Sequence, residues 1–202
     1  MRLRPQTLTL LASVGAVPAG LPAQVAEPAH RAAVRLLADL PIPPALRPGL
    51  TRAVATTLAQ NEVAPESSPG RYTVGGCRDT ELSARLVDLN RDTIPELHVQ
   101  ALGTCVGGMA GTLNWVFVRA AGADAWRPNL TFNGFLQPLR SRKNGFADVI
   151  VGGPGFTIPV WRWNGREYAL FCQSGTGRGN APRCPAGLAD TTAADSLPPF
   201  SR

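Results

Sequence analysis

Two stretches of alternating apolar residues restrict this chain more than anything else in it. Leu82, Ala84 and Leu86 alternate with Ser83, Arg85 and Val87, and Leu97, Val99 and Ala101 alternate with Glu96, His98 and Gln100. Period-two patterns of this kind read as strands, and the polar run Asp88–Glu96 between them reads as the loop of a hairpin. Matching the two apolar sets pairs residues whose numbers sum to about 183, for example Leu86 with Leu97 and Ala84 with Val99. A slip of one residue turns Glu96 and His98 toward the core, so the register is strongly specified. The sum for Cys77 and Cys105 is 182, which predicts that they meet beyond the open end of the hairpin. A bulge at Gly75, Gly76 or Gly103 absorbs the mismatch of one.

The four cysteines, at 77, 105, 172 and 184, allow three pairings. We expect Cys77–Cys105 and Cys172–Cys184, each contributing about 3 kcal/mol on the chain-entropy account. No Cys-x-x-Cys occurs, and neither histidine stands at metal-ligand spacing from a cysteine, which argues against zinc. Disulfides imply an oxidising compartment. The N-terminus agrees: Arg2 and Arg4 precede an apolar run, Thr7 to Val17, and small residues follow up to Ala26. This is the pattern of a secretory signal with cleavage after Ala23 or Ala26, and the run is too short to span a membrane. The expected location is therefore periplasmic or secreted. The net charge of +6 is almost entirely arginine and is scattered along the chain. Nucleic-acid binders concentrate such charge on one face, so the pattern argues against that partner class.

The expected order of segments is a signal peptide over 1–26, a helical segment over 27–60, a linker over 61–72, an antiparallel β domain over 73–174, and a mostly disordered tail over 175–202. The first helix, Glu27 to Leu40, places Ala33, Leu36, Leu37 and Leu40 on one face. The second, from about Pro48 to Gln60, lines up Leu50, Val54 and Leu58. Further strands are expected around Leu113–Ala120, Trp126–Phe132, Phe135–Ser141, Phe146–Val151, Phe156–Trp163 and Arg166–Gln173, the last two joined at Asn164-Gly165. The fold class is α+β: two N-terminal helices followed by an antiparallel β-meander of about six to eight strands, several of them apolar on both faces.

The hairpin loop carries the one spacing that suggests specific chemistry. Asp88, Asn90, Asp92 and Glu96 offer side-chain oxygens, and Ile94 a backbone carbonyl, within nine residues. A hard cation needs six or more oxygens, and a tight turn gathers several, so calcium is the candidate cofactor. The EF-hand pattern fails, because its twelfth position falls on Val99. The alternative is a polar turn in which Asp and Asn bond their own backbone. The segment Leu86–Leu97 resembles the calcium loop of FG-GAP and VCBS-type repeats, in which an apolar strand enters an acidic loop and another leaves it. Gly145–Gly155, with Asp148 leading an apolar strand into Gly-x-Pro-Gly, resembles that family's second hallmark. Family members form propellers from several repeats; a single copy implies a compact relative. Thr93 stands where the family has glycine, and Arg91 adds a positive charge.

Enzymatic chemistry finds little support. His98 lies on what reads as a polar strand face, His30 at a helix start, and no nucleophile motif accompanies either. Gly175–Gly179 lacks the Gly-Lys-Ser/Thr of a phosphate loop. The sequon at Asn129 matters only in a glycosylating host. Trp161 and Trp163 form a candidate binding surface for an extracytoplasmic protein or carbohydrate. Three functions follow as expectations: an exported non-catalytic interaction or structural domain with one degenerate calcium loop, a secreted hydrolase using carboxylates, or a periplasmic inhibitor or binding protein.

Overall fold

The computed structural model describes residues 23–119, 125–153, 157–175 and 181–188. The greater part of the expected leader lies outside these residues. Helix α1 (Ala23–Leu37) and helix α2 (Arg47–Gln60) match the two expected helices. Helix α1 starts four residues earlier than the sequence suggested, with Pro28 inside it, and both candidate cleavage points fall in its first turn. It also stops three residues sooner, at Leu37. Past that end the Arg47 guanidinium donates to the carbonyls of Leu37 (2.7 Å) and Leu40 (2.9 Å), and Pro41, Pro43 and Pro44 follow. The same two carbonyls accept backbone bonds from the N–H groups of Leu40 and Ile42 in the turn that follows the helix.

The two sheets are antiparallel, with ten strands among the described residues rather than six to eight. The first sheet runs β1 (Ala64–Pro65), β2 (Arg71–Val74), β3 (Cys77–Val87), β4 (Glu96–Leu102), β5 (Thr112–Arg119) and β6 (Trp126–Asn133), each beside the next. The second runs β7 (Phe135–Lys143), β8 (Phe146–Gly152), β9 (Thr157–Trp163) and β10 (Tyr168–Gly175), again in order. Strand β1 and the start of β2 occupy the span read as a linker. Between β4 and β5 a short helix α3 (Thr104–Gly107) and a single 3-10 turn carry the chain across.

Strands β3 and β4 pair in the expected register, Leu86 with Leu97 and Ala84 with Val99. Both predicted disulfides are present. Cys77 follows the Gly75-Gly76 turn, whose two positive φ angles (54° and 83°) give the I′ geometry that suits hairpin twist. Asn144-Gly145 does the same between β7 and β8. Asn164-Gly165, in contrast, opens a four-residue connection, because β10 begins at Tyr168 opposite Trp163. There the Asn164 side chain accepts from the N–H groups of Arg166 and Glu167.

Three layers result. Ala29, Ala33, Leu37, Leu50, Val54 and Leu58 from the helices pack on Leu97, Val99, Ala101, Trp115 and Phe117 from one face of the first sheet. Val116, Val118 and Leu130, on its other face, pack on Phe146, Val149, Val151, Trp163 and Tyr168 of the second sheet. The outer face of the second sheet carries Leu139, Ile150, Val160 and Cys172, covered in part by Cys184 and Leu188. The sheets join at Gly134, where an added Cβ would lie 1.6 Å from the carbonyl oxygen of Gly152. This three-layer arrangement overturns one expectation. Glu96 (2% exposed) and His98 (0%) are not on a polar surface, because the second sheet folds over their side of β4.

Candidate functional site: the loop over 88–96

The loop leaves β3 and returns along β4 at the end of the first sheet that faces the β7–β8 turn. Leu89 is the one apolar side chain among its first five residues, and it is fully buried in the inter-sheet core. Its backbone is held from both sides. The Leu89 N–H donates to Glu96 Oε2 (2.7 Å), and its carbonyl accepts from the Ala147 N–H (2.7 Å) on β8 and from Arg142 Nη1 (3.1 Å) on β7. One residue of the first sheet's loop is thus fastened to both strands of a hairpin in the second sheet.

The expected ligands are placed as follows. Asp88 Oδ1 accepts from the Arg91 N–H at 2.5 Å. Asn90 Oδ1 accepts from the Asp92 N–H, and Asn90 Nδ2 donates to Asp92 Oδ2. Asp92 Oδ1 accepts from the Ile94 N–H at 2.8 Å, and Ile94 lays its side chain on the helix-side core. Glu96 turns inward to Leu89. The short side chains therefore close Asx-type turns on their own backbone, as in the polar-turn alternative. Arg91 (φ +62°) and Thr93 (φ +69°) take left-handed conformations, which costs a β-branched threonine more than the glycine of the resembling family. Among the described residues no group of three or more histidines, cysteines and carboxylates is arranged to hold a metal ion. The donor atoms are hard oxygens suited to calcium, and Asp88 Oδ1, Asn90 Oδ1, both Asp92 oxygens and Glu96 Oε2 each accept a bond from within the loop.

Electrostatics mark this region. Burial pushes the Glu96 carboxyl up to about 8, with Asp92 and Asp88 adding to the rise and the Leu89 N–H opposing it. Two residues on, burial holds His98 down at about 4, with Arg85 contributing and the bond to Asn114 opposing. Arg85 Nε, which can only donate, bonds His98 Nδ1 at 3.1 Å, so the proton resides on Nε2 and is donated to Asn114 Oδ1 at 2.9 Å. Gln100 donates to the same oxygen, and Asn114 Nδ2 donates to the carbonyls of Phe132 and Gly134. The imidazole is locked as a neutral structural element. The Tyr168 hydroxyl, bonded to the Ala147 carbonyl, is raised by burial and by the nearby Glu96 and Asp148.

A second buried carboxylate was not singled out from the sequence as a site. Asp148 (0% exposed) accepts a bidentate pair from Arg162, Nε to Oδ1 at 2.9 Å and Nη2 to Oδ2 at 2.7 Å, and a third bond from Ser141 Oγ at 2.7 Å. The guanidinium also lies 3.5 Å from the centre of the Phe171 ring. The available signal was an aspartate in the middle of an otherwise apolar strand.

The tryptophan surface is corrected. Trp163 is buried, stacked on Phe146 at 4.2 Å and edge-on to Tyr168 at 5.4 Å. Trp161 is half-buried against the inter-sheet core, and its indole N–H is buried as well. Inward-facing positions of β9 look into the space between the sheets, so the pair offers no exposed platform. A polar cavity of about 280 Å³ lies beside β1 and β2, lined by Pro65, Glu66, Ser67, Ser68, Thr73 and Arg78. Its carboxylate, Glu66, is lowered chiefly by hydrogen bonds from the Asp79 N–H and the Thr73 hydroxyl. No helix among the described residues is long and apolar enough to cross a membrane. No family model, curated protein or solved structure matches the chain.

Proposed function

We propose that this is an exported, non-catalytic structural or interaction module of the cell envelope or medium, in which the loop over 88–96 fastens two β-sheets together. The observation that carries the reading is the use made of the buried ionisable groups. Glu96, His98 and Asp148 each close on partners inside the protein. A catalytic acid, base or nucleophile needs an open side toward substrate. Two disulfides fit an oxidising compartment. Fusing residues 1–30 to an export reporter and alkylating the recovered protein tests the location. Export with no free thiol supports it; retention with four alkylated cysteines overturns it.

A second reading, a degenerate calcium loop kin to FG-GAP and VCBS repeats, has one observation in its favour. Asp88 and Asp92 both add to the rise of Glu96, so the loop brings three carboxylates within electrostatic reach of one another. Calcium there would require Glu96 to leave Leu89 and turn outward. Melting with calcium and with chelator separates the readings. A rise of several degrees, lost in Asp88→Ala and Asp92→Ala, supports the metal. Equal melting in all conditions leaves the fastening role alone.

A further inference from the structure

Edge strands expose unpaired N–H and C=O groups, and proteins protect them with proline, charge, shortness or a cover. Among the described residues, three of the four sheet edges are protected by their own sequence. Strand β1 has two residues, one of them Pro65. Strand β6 carries Arg127 and Pro128, and α2 packs near it. Strand β7 carries Pro138, Arg140, Arg142 and Lys143. Strand β10 is different: its eight residues, YALFCQSG, include no proline and no charge.

This edge is the one the C-terminal segment covers. Residues 181–188 lie along β10 with a parallel bridge between Gln173 and Arg183. The Gln173 N–H donates to the Pro182 carbonyl at 2.8 Å, and the Gln173 carbonyl accepts from the Cys184 N–H at 2.9 Å. Arg183 reaches the Gly175 carbonyl, and Leu188 seats on the apolar outer face. The Cys172–Cys184 bond makes the attachment covalent.

We propose that the outer edge of β10 is a self-association edge of this chain, masked by residues 181–188 for as long as Cys172–Cys184 holds them in place. Both backbone groups of Gln173 point away from β9, the orientation of a residue that exchanges two hydrogen bonds with an antiparallel neighbour. A two-fold axis through this point pairs Gln173 with Gln173 of a second copy, and a two-fold contact between identical strands is necessarily antiparallel. The second copy is the occupant favoured by charge. Self-pairing of β10 brings no like charges together, whereas self-pairing of β7 sets arginine and lysine against each other.

The test compares the full chain with a Cys172→Ala/Cys184→Ala variant, which keeps Cys77–Cys105, by sedimentation across a concentration series. The native chain should remain a monomer, and the variant should approach a doubled weight-average mass as concentration rises. Adding Gln173→Pro should restore the monomer, because it removes the outward N–H and no bond to β9. A folded double variant that stays monomeric overturns the proposal, as does a dimer indifferent to Gln173→Pro or a native chain that dimerises equally. Should the variant not fold by circular dichroism, hydrogen exchange of the native chain before and after reduction of Cys172–Cys184 decides. Gln173 and Cys184 amides that lose protection on reduction while β8 and β9 keep theirs support a cover held by the disulfide; protection unchanged by reduction refutes it.

Discussion

Glu96 and His98 sit two residues apart on one face of β4, and burial moves them in opposite directions, which makes the stability of this protein unusually informative about pH. Glu96 rises from 4.5 to about 8 on folding. Between those values the folded state holds a proton that the unfolded state has released, so stability falls as pH rises and levels off above 8. His98 drops from 6.5 to about 4. Over that window the unfolded state holds the extra proton, so stability rises with pH. Each slope is about 1.4 kcal/mol per pH unit at full strength. The two offset each other from about pH 4.5 to 6.5, and from 6.5 to 8 the Glu96 slope stands alone, a loss of about 2 kcal/mol. Urea denaturation at half-unit pH steps measures this directly. Glu96→Gln removes the carboxyl while keeping an oxygen for the Leu89 N–H. It should abolish the loss above pH 6.5 and leave the variant more stable than the parent at pH 8. Parallel curves for parent and variant across pH 5 to 8 would refute the burial of an uncompensated carboxyl.

Further outcomes follow from the same packing. Leu89→Ala should cost about 2–5 kcal/mol by chemical denaturation, the range for a fully buried leucine, although it lies in a polar surface loop; a cost typical of exposed sites contradicts the fastening role. Arg162→Met leaves Asp148 buried without its cation and should cost about 3–5 kcal/mol, whereas the pair Arg162→Met/Asp148→Leu should recover most of it. Gly134→Ala should lower the melting temperature more than Gly145→Ala, because an added Cβ meets the Gly152 backbone at the first site and open space at the second; equal effects in a thermal melt would count against the tight sheet-to-sheet corner.

Local patterns reached far into this fold, and their failures share one cause. The alternation of Leu82, Ala84, Leu86 with Leu97, Val99, Ala101 sufficed for the register, because a half-buried hairpin has one way to match its apolar faces. The same register brought Cys77 to Cys105. Neither pattern says what lies above the opposite face. Glu96, His98 and Gln100 read as polar and outward, yet the second sheet covers them and their polar atoms are satisfied by Leu89, Arg85 and Asn114, residues from the loop and neighbouring strands. Trp161 and Trp163 failed as a surface for the same reason. Leu89 was visible as a lone apolar residue among polar ones, but its partners Ala147 and Arg142 lie more than fifty positions away and carry no local mark. The loop's oxygen spacing lists donors and no more. Whether they converge on a cation or close on their own backbone depends on the inward turn of Glu96, which the far sheet determines.

The central claim is that the loop over 88–96 is bolted into the seam between the sheets through Leu89. Hydrogen exchange at the Leu89 and Ala147 amides, in chelator, tests it most directly, since one is bonded to Glu96 and the other to the Leu89 carbonyl. The account predicts that both exchange only with global unfolding, at the same free energy as the amides of β4 and β8. Exchange of the Leu89 amide at the rate of a freely solvated loop, with β4 and β8 still protected, would contradict it.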